Sequence, residues 1–183
     1  MSTTHLWWYL ARSSGLVLLV CVTATILWGL LLSTRLIRRR SLQRWLLDLH
    51  RFLGSLTLAL LMLHVGALVA DSNVSFDLAD VMVPGASAWR TGAVAWGIVG
   101  GWLIVAIQVT SWLRRRLSRS VWRWVHWSSV VVYVASIVHA IQSGSDVNNR
   151  IYVSVAVVSG LAVVFVALVR VVEGMAKRAA PST

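Results

Sequence analysis

Five long apolar runs dominate the chain and alternate with short polar and basic segments. The runs lie at about 10–34, 45–70, 91–113, 121–142 and 151–172. Each is long enough to provide the roughly 20 apolar residues with which a helix crosses a bilayer core. Asp48, within the second run, can pair with Arg44 or Arg51 at helical spacing. The pattern predicts an all-α fold, an integral membrane bundle of about five transmembrane helices.

The longest connection between runs extends from Asp71 to Trp89. It contains the apolar residues Phe76, Leu78, Val81 and Met82, which favour a short helix at the membrane interface. The chain shows no internal repeat beyond the likeness of the second and fourth runs, and no low-complexity segment. We therefore expect residues 1–183 to form a single domain.

Composition supports the membrane assignment, since 58% of the residues are hydrophobic and 13% are charged, against roughly 25% charged residues in soluble domains. The net charge of +11 comes from clusters between the runs, which favours contact with membrane lipid and not with nucleic acid. Two connections hold most of the basic residues: Arg35, Arg38, Arg39, Arg40, Arg44, Arg51, Arg114, Arg115, Arg116, Arg119 and Arg123. By the positive-inside rule the N-terminus lies outside and the C-terminus in the cytoplasm. One lysine against sixteen arginines indicates a high-GC bacterium, and hence the cell (inner) membrane.

Four of the five histidines lie in two runs, His50 and His64 in the second and His126 and His139 in the fourth. Ionisable groups in hydrocarbon cost a few kcal/mol each, so they indicate function. Both runs lead away from a basic cluster, so the two helices are parallel. At 1.5 Å per residue, His64 lies roughly 21 Å above His50 and His139 roughly 19.5 Å above His126. The histidines thus form two pairs at matched depths.

Facing imidazoles at one depth suit the two axial positions of a haem iron, so all four histidines are candidate metal ligands. Another metal, a proton relay and satisfied structural histidines are the alternatives. In an ideal helix His64 returns to within roughly 40° of His50, whereas His139 lies roughly 140° from His126. The second angle is compatible with two haem sites if the fourth helix is locally overwound, or if its two histidines approach their haems from different flanks. Gly54 is a candidate for admitting a flat macrocycle, with close helix packing as the alternative.

These residues carry a family resemblance. The stretch from His50 to Gly54, His64 after thirteen intervening residues, and His126 with His139 after twelve resemble the ferric reductase-like transmembrane domain. That superfamily includes ferric reductases, NADPH oxidases and the haem subunit of methionine sulfoxide reductase systems. The resemblance implies two haems b, an inner one between the first histidines and an outer one between the second. Because the common form has six helices, it leaves the role of the first helix unassigned.

The function expected from the resemblance is electron transfer across the bilayer by a haem subunit. Arg51 is a candidate for neutralising an inner haem propionate, with a simple topological charge as the alternative. We find no glycine-rich dinucleotide loop and expect no flavin or nicotinamide site in this chain. The donor would be a separate flavoprotein or a quinol, and the acceptor ferric iron, oxygen or an extracytoplasmic partner reductase. A redox-inert scaffold or transporter subunit with structural histidines, and a cytochrome b subunit of a dehydrogenase or hydrogenase, are the alternatives.

Overall fold

The computed structural model describes residues 3–34, 39–72, 74–143 and 150–179, and in these ranges every regular element is a helix. Arg35 and Arg38 of the first basic cluster lie outside the described residues. The helices are α1 (Thr3–Ser33), α2 (Arg40–Ala70), α3 (Leu78–Met82), α4 (Thr91–Trp112), α5 (Arg119–Trp127), α6 (Ser129–Ser143) and α7 (Arg150–Ala179). Within the described ranges, five helical spans are long and apolar enough to cross a membrane, with α5 and α6 together forming the fourth. The predicted all-α membrane fold is confirmed.

The fourth span differs from the prediction because it is interrupted at Ser128. The Ser128 hydroxyl donates to the Val125 carbonyl at 2.6 Å, and the Ser128 N–H bonds the same carbonyl at 3.1 Å. A bond to the third preceding carbonyl is that of a 3₁₀ turn, which winds more tightly than an α-helix. Of the two explanations for the angular mismatch between His126 and His139, this supports local overwinding.

The spans pack so that the two histidine helices run parallel. Helix α1 packs antiparallel on α2, α4 packs antiparallel on α6, and α7 lies against α1. A central apolar cluster of Val22, Ile104 and Val132, from three of these helices, is surrounded by partly buried leucine and isoleucine side chains. Cys21 is buried beside it and accepts the Thr57 hydroxyl at 3.3 Å. This layer lies between the levels of the two histidine pairs.

The connection between α2 and α4 folds back over one end of the bundle. The short helix predicted there is present as α3, which begins with a capping box between Asp77 and Asp80. Phe76 and Val81 pack with Val94 and Ile98 of α4, and the Trp102 Nε1–H donates to the Met82 carbonyl at 3.0 Å. The connection is therefore a packed cover.

The surface of the bundle carries many large, exposed apolar side chains, including Leu161 and Phe165 of α7. Such a surface is stable against lipid tails and not in water, so the chain is a multi-pass membrane protein. One end of the bundle, here called the basic end, carries exposed arginines of the α2 start and of the α4–α5 connection. At that end Asp48 pairs with Arg51 at 3.2 Å.

Candidate functional site

The structure brings the four histidines together as two facing pairs. The first pair, His50 and His126, lies towards the basic end, with ring centroids 6.1 Å apart and ring planes at 71°. The second pair, His64 and His139, has centroids 6.4 Å apart and planes at 84°. The residues predicted to lie at matched depths therefore do form pairs, each with one imidazole from α2 and one from the fourth span.

In three of the four histidines, Nδ1 faces a backbone carbonyl of a neighbouring helix. His50 Nδ1 lies 3.0 Å from the Thr25 oxygen, His64 Nδ1 lies 2.8 Å from the Ala11 oxygen, and His139 Nδ1 lies 2.8 Å from that of Ala93. A carbonyl oxygen only accepts, so Nδ1 carries the proton and donates. The lone pair of each neutral ring is therefore on Nε2, the nitrogen that can bind a metal.

Glycines make room for the same three imidazoles. A Cβ at Gly15 would lie 3.0 Å from His64 Cε1, one at Gly29 3.2 Å from His50 Cε1, and one at Gly97 2.6 Å from His139 Nδ1. Helix backbones can approach closely where no side chain intervenes. Each glycine thus lets a carbonyl one turn earlier in the same helix reach the ring.

Helix α1 acquires a role from these contacts. The two residues of α1 whose carbonyls accept these hydrogen bonds, Ala11 and Thr25, are fourteen residues apart. The same interval separates Gly15 from Gly29, and His50 from His64 on α2. Because α1 and α2 are antiparallel and share this interval, a single alignment of the two helices brings both carbonyls to their histidines. Helix α1 therefore orients both histidines of α2.

His126 is held differently. In the part of the chain that the structure describes, its Nδ1 is buried without a hydrogen-bond partner, and no glycine lies against its ring. Since α4 and the fourth span are antiparallel and Ala93 lies beside His139, the residue expected opposite His126 is Ala106, thirteen residues after Ala93. The Ala106 carbonyl instead accepts a hydrogen bond from the Thr110 hydroxyl at 2.7 Å. The ring stacks instead on Trp122, with centroids 4.9 Å apart and planes at 22°.

The residues of both pairs fit a metal held between two imidazoles. A metal–nitrogen bond of about 2 Å on each side places the two ring centroids roughly 6 Å apart, as observed in both pairs. Two imidazoles fill only part of a metal's coordination shell, so the pairs suit a metal that brings further ligands of its own, such as haem iron.

The other predicted site residues lie elsewhere. A Cβ at Gly54 would lie 2.9 Å from Gln108 Oε1 of α4, so the absence of a side chain there serves the packing of α2 on α4. Arg51 is exposed and paired with Asp48. Their roles towards a cofactor stay predictions. Sequence reasoning missed the three glycines at the histidine rings, although the equal intervals on α1 and α2 were a usable signal.

Beside the second pair lies an apolar cavity of about 1170 Å³. It is lined by both histidines, by Gly15 and Gly97, and by Phe76 and Val81 of the cover. Its size is sufficient for a cofactor, since ligand sites typically measure roughly 300–1,000 Å³. The second pair therefore opens on enough apolar space for a macrocycle.

Comparison with known proteins gives one result. Residues 14–137 match the model of a family described as the ferric reductase-like transmembrane component. The match begins one residue before Gly15 and ends two residues before His139, so it includes the other three histidines of the two pairs. No curated protein and no solved structure matches the chain.

Proposed function

The chain belongs to the ferric reductase-like transmembrane family, and from this premise we propose that it is a haem b subunit that transfers electrons across the bilayer. Two haems would be held in series, one by His50 and His126 and one by His64 and His139. The observation that supports this most strongly is the pairing of imidazoles at metal-bridging distance at two depths.

When bound, haem supplies an iron that gains and loses one electron. The chain's own residues bind and orient it: the carbonyls of Ala11, Thr25 and Ala93 fix three imidazole tautomers, and such contacts also raise ligand basicity. The single cysteine, Cys21, is not part of a C-x-x-C-H sequence, which favours a non-covalent, b-type cofactor. With both histidines of a pair bound to its iron, a haem would have no coordination site left for a substrate.

The arginines support a direction of transfer from the basic end to the opposite end. The basic end carries the exposed residues Arg39, Arg40, Arg44, Arg114 and Arg115, which favours a cytoplasmic location for that end by the positive-inside rule. Electrons would enter there from a separate flavoprotein or quinol and leave at the opposite end, beneath the packed cover. The acceptor would be ferric iron, oxygen or a partner reductase, reduced at the cofactor edge.

The strongest competing function is a redox-inert membrane scaffold whose histidines only bond helices together. The contacts of His50, His64 and His139 with carbonyls are compatible with it. It gives a role to Nδ1 in three of the four rings and none to their Nε2. That remaining nitrogen favours metal binding.

The test is the absorption spectrum of the purified full chain in detergent. We expect a Soret band, a split α band on reduction, and two haems per chain in a pyridine haemochrome assay. His64→Ala should remove one haem and retain the other, and His50→Ala should do the reverse. A colourless, folded wild-type protein prepared from haem-replete cells would refute the proposal.

A further inference from the structure

The Trp122 ring is fixed from two sides by residues at the end of α4 and just beyond it. Its Nε1–H donates to Ser111 Oγ at 3.4 Å, and the Arg114 guanidinium lies 4.5 Å above the ring centroid. A cation over an indole face is attracted by its electron density. Trp122 is half-buried, whereas Arg114 is exposed at the basic end. The indole is therefore held in one orientation.

This held ring is also the main restraint on His126. Trp122 precedes His126 by one helical turn on α5, and residues four apart lie on the same helix face. The two ring planes are nearly parallel, at 22°, so the indole limits rotation of the imidazole about its side-chain bonds. The other three histidines obtain this restraint from a carbonyl, and His126 has none in the described part of the chain.

We infer that Trp122 is the positioning residue of the first histidine pair, because the stack of Arg114, Trp122 and His126 does for one ligand what a backbone carbonyl does for each of the others. The inference rests on the proposed function and adds to it a residue outside the ligand set. A stack fixes the plane of the imidazole and supplies no acceptor for Nδ1. The two haem sites would therefore differ, with a less basic ligand and a higher reduction potential at the first.

The experiment replaces Trp122 in the full chain and reads the two sites separately. His50→Ala and His64→Ala first assign the electron paramagnetic resonance signal of each site in the ferric protein. Trp122→Leu removes the stack, and we expect roughly 10- to 100-fold weaker haem binding at the first pair, with conversion of its low-spin signal to high-spin. The second-pair signal should not change, which also shows that the variant is folded.

Two further variants complete the design. Trp124→Leu, on the same helix and 77% exposed, is the matched control and should leave both signals unchanged. Trp122→Phe retains an aromatic ring and should restore haem at the first pair, even if Trp122→Leu does not accumulate. Unchanged haem affinity and signal in Trp122→Leu, or failure of Trp122→Phe to restore them, would overturn the inference. A wild-type protein without haem would instead refute the proposed function.

Discussion

Gly97→Ala is the sharpest test of the second histidine pair. The added Cβ would lie 2.6 Å from His139 Nδ1 and 2.7 Å from Cε1, whereas heavy atoms in contact prefer about 3.5–4.0 Å. The imidazole must therefore retreat by about 1 Å. That shift would lengthen the 2.8 Å contact with the Ala93 carbonyl beyond hydrogen-bond range.

The size of the effect follows from two costs. Overpacking a close contact costs about 1–3 kcal/mol, and the lost hydrogen bond costs about 0.5–1.5 kcal/mol. Together they amount to about 1.5–4.5 kcal/mol, which corresponds to roughly 10- to 2,000-fold weaker haem binding at the second pair. Alanine's better helix propensity offsets less than about 1 kcal/mol of this.

The assay is haem titration of the apoprotein in lipid nanodiscs, followed by the Soret absorbance. Gly160→Ala is the control, because a Cβ at this glycine inside α7 meets nothing within 4 Å. It should bind both haems with wild-type affinity and unfold at slightly higher temperature. If Gly97→Ala also binds two haems with wild-type affinity, the tight contact with His139 does not position a ligand.

Further predictions concern the first pair, the ring planes and the helix contacts. Gly29→Ala should weaken haem binding at the first pair by less than Gly97→Ala does at the second, because its Cβ would lie 3.2 Å from the nearest imidazole atom; the same titration measures this, and a larger loss contradicts it. Ring planes at 71° and 84° predict strongly anisotropic low-spin ferric resonance signals at both sites, and rhombic signals typical of parallel rings would refute this. Cys21→Ala should lower stability by about 1 kcal/mol through loss of the sulfur contacts between α1 and α2, measured by thermal unfolding, and an unchanged melting temperature would speak against it. Asp48→Asn should change stability by less than about 1 kcal/mol, because its ion pair is exposed; a larger change would show that the pair is structural.

The depth of the histidine pairs could be predicted from spacing because helical rise is constant. The ring contacts could not, because they depend on which carbonyl of a neighbouring helix reaches each ring. Thr25 and Ala11 are inconspicuous as residues and contribute only through their backbone. Their register with His50 and His64 is set by packing between α1 and α2, to which the whole length of both helices contributes.

Two local features escaped the periodicity argument. The interruption at Ser128 involves neither glycine nor proline, the usual marks of a helix break, and arises from a serine hydroxyl bonding its own helix. Gly54 was a candidate for admitting a macrocycle or for close helix packing, and periodicity alone did not reveal that its open side faces Gln108. In both cases the geometry of an ideal helix predicts the direction in which a position points but not which atoms it contacts.

The equal interval on α1 and α2 limits how this protein can change in evolution. One residue inserted between Gly15 and Gly29 would rotate one glycine by about 100° relative to the other, so only one histidine of α2 could keep its carbonyl. Seven inserted residues would nearly restore the rotation but separate the two contacts by a further 10 Å or so. Substitutions across this stretch are tolerable wherever the interface with α2 allows them, but changes of length are not. The interval between Gly15 and Gly29 is thus constrained in a way that residue identities alone do not reveal.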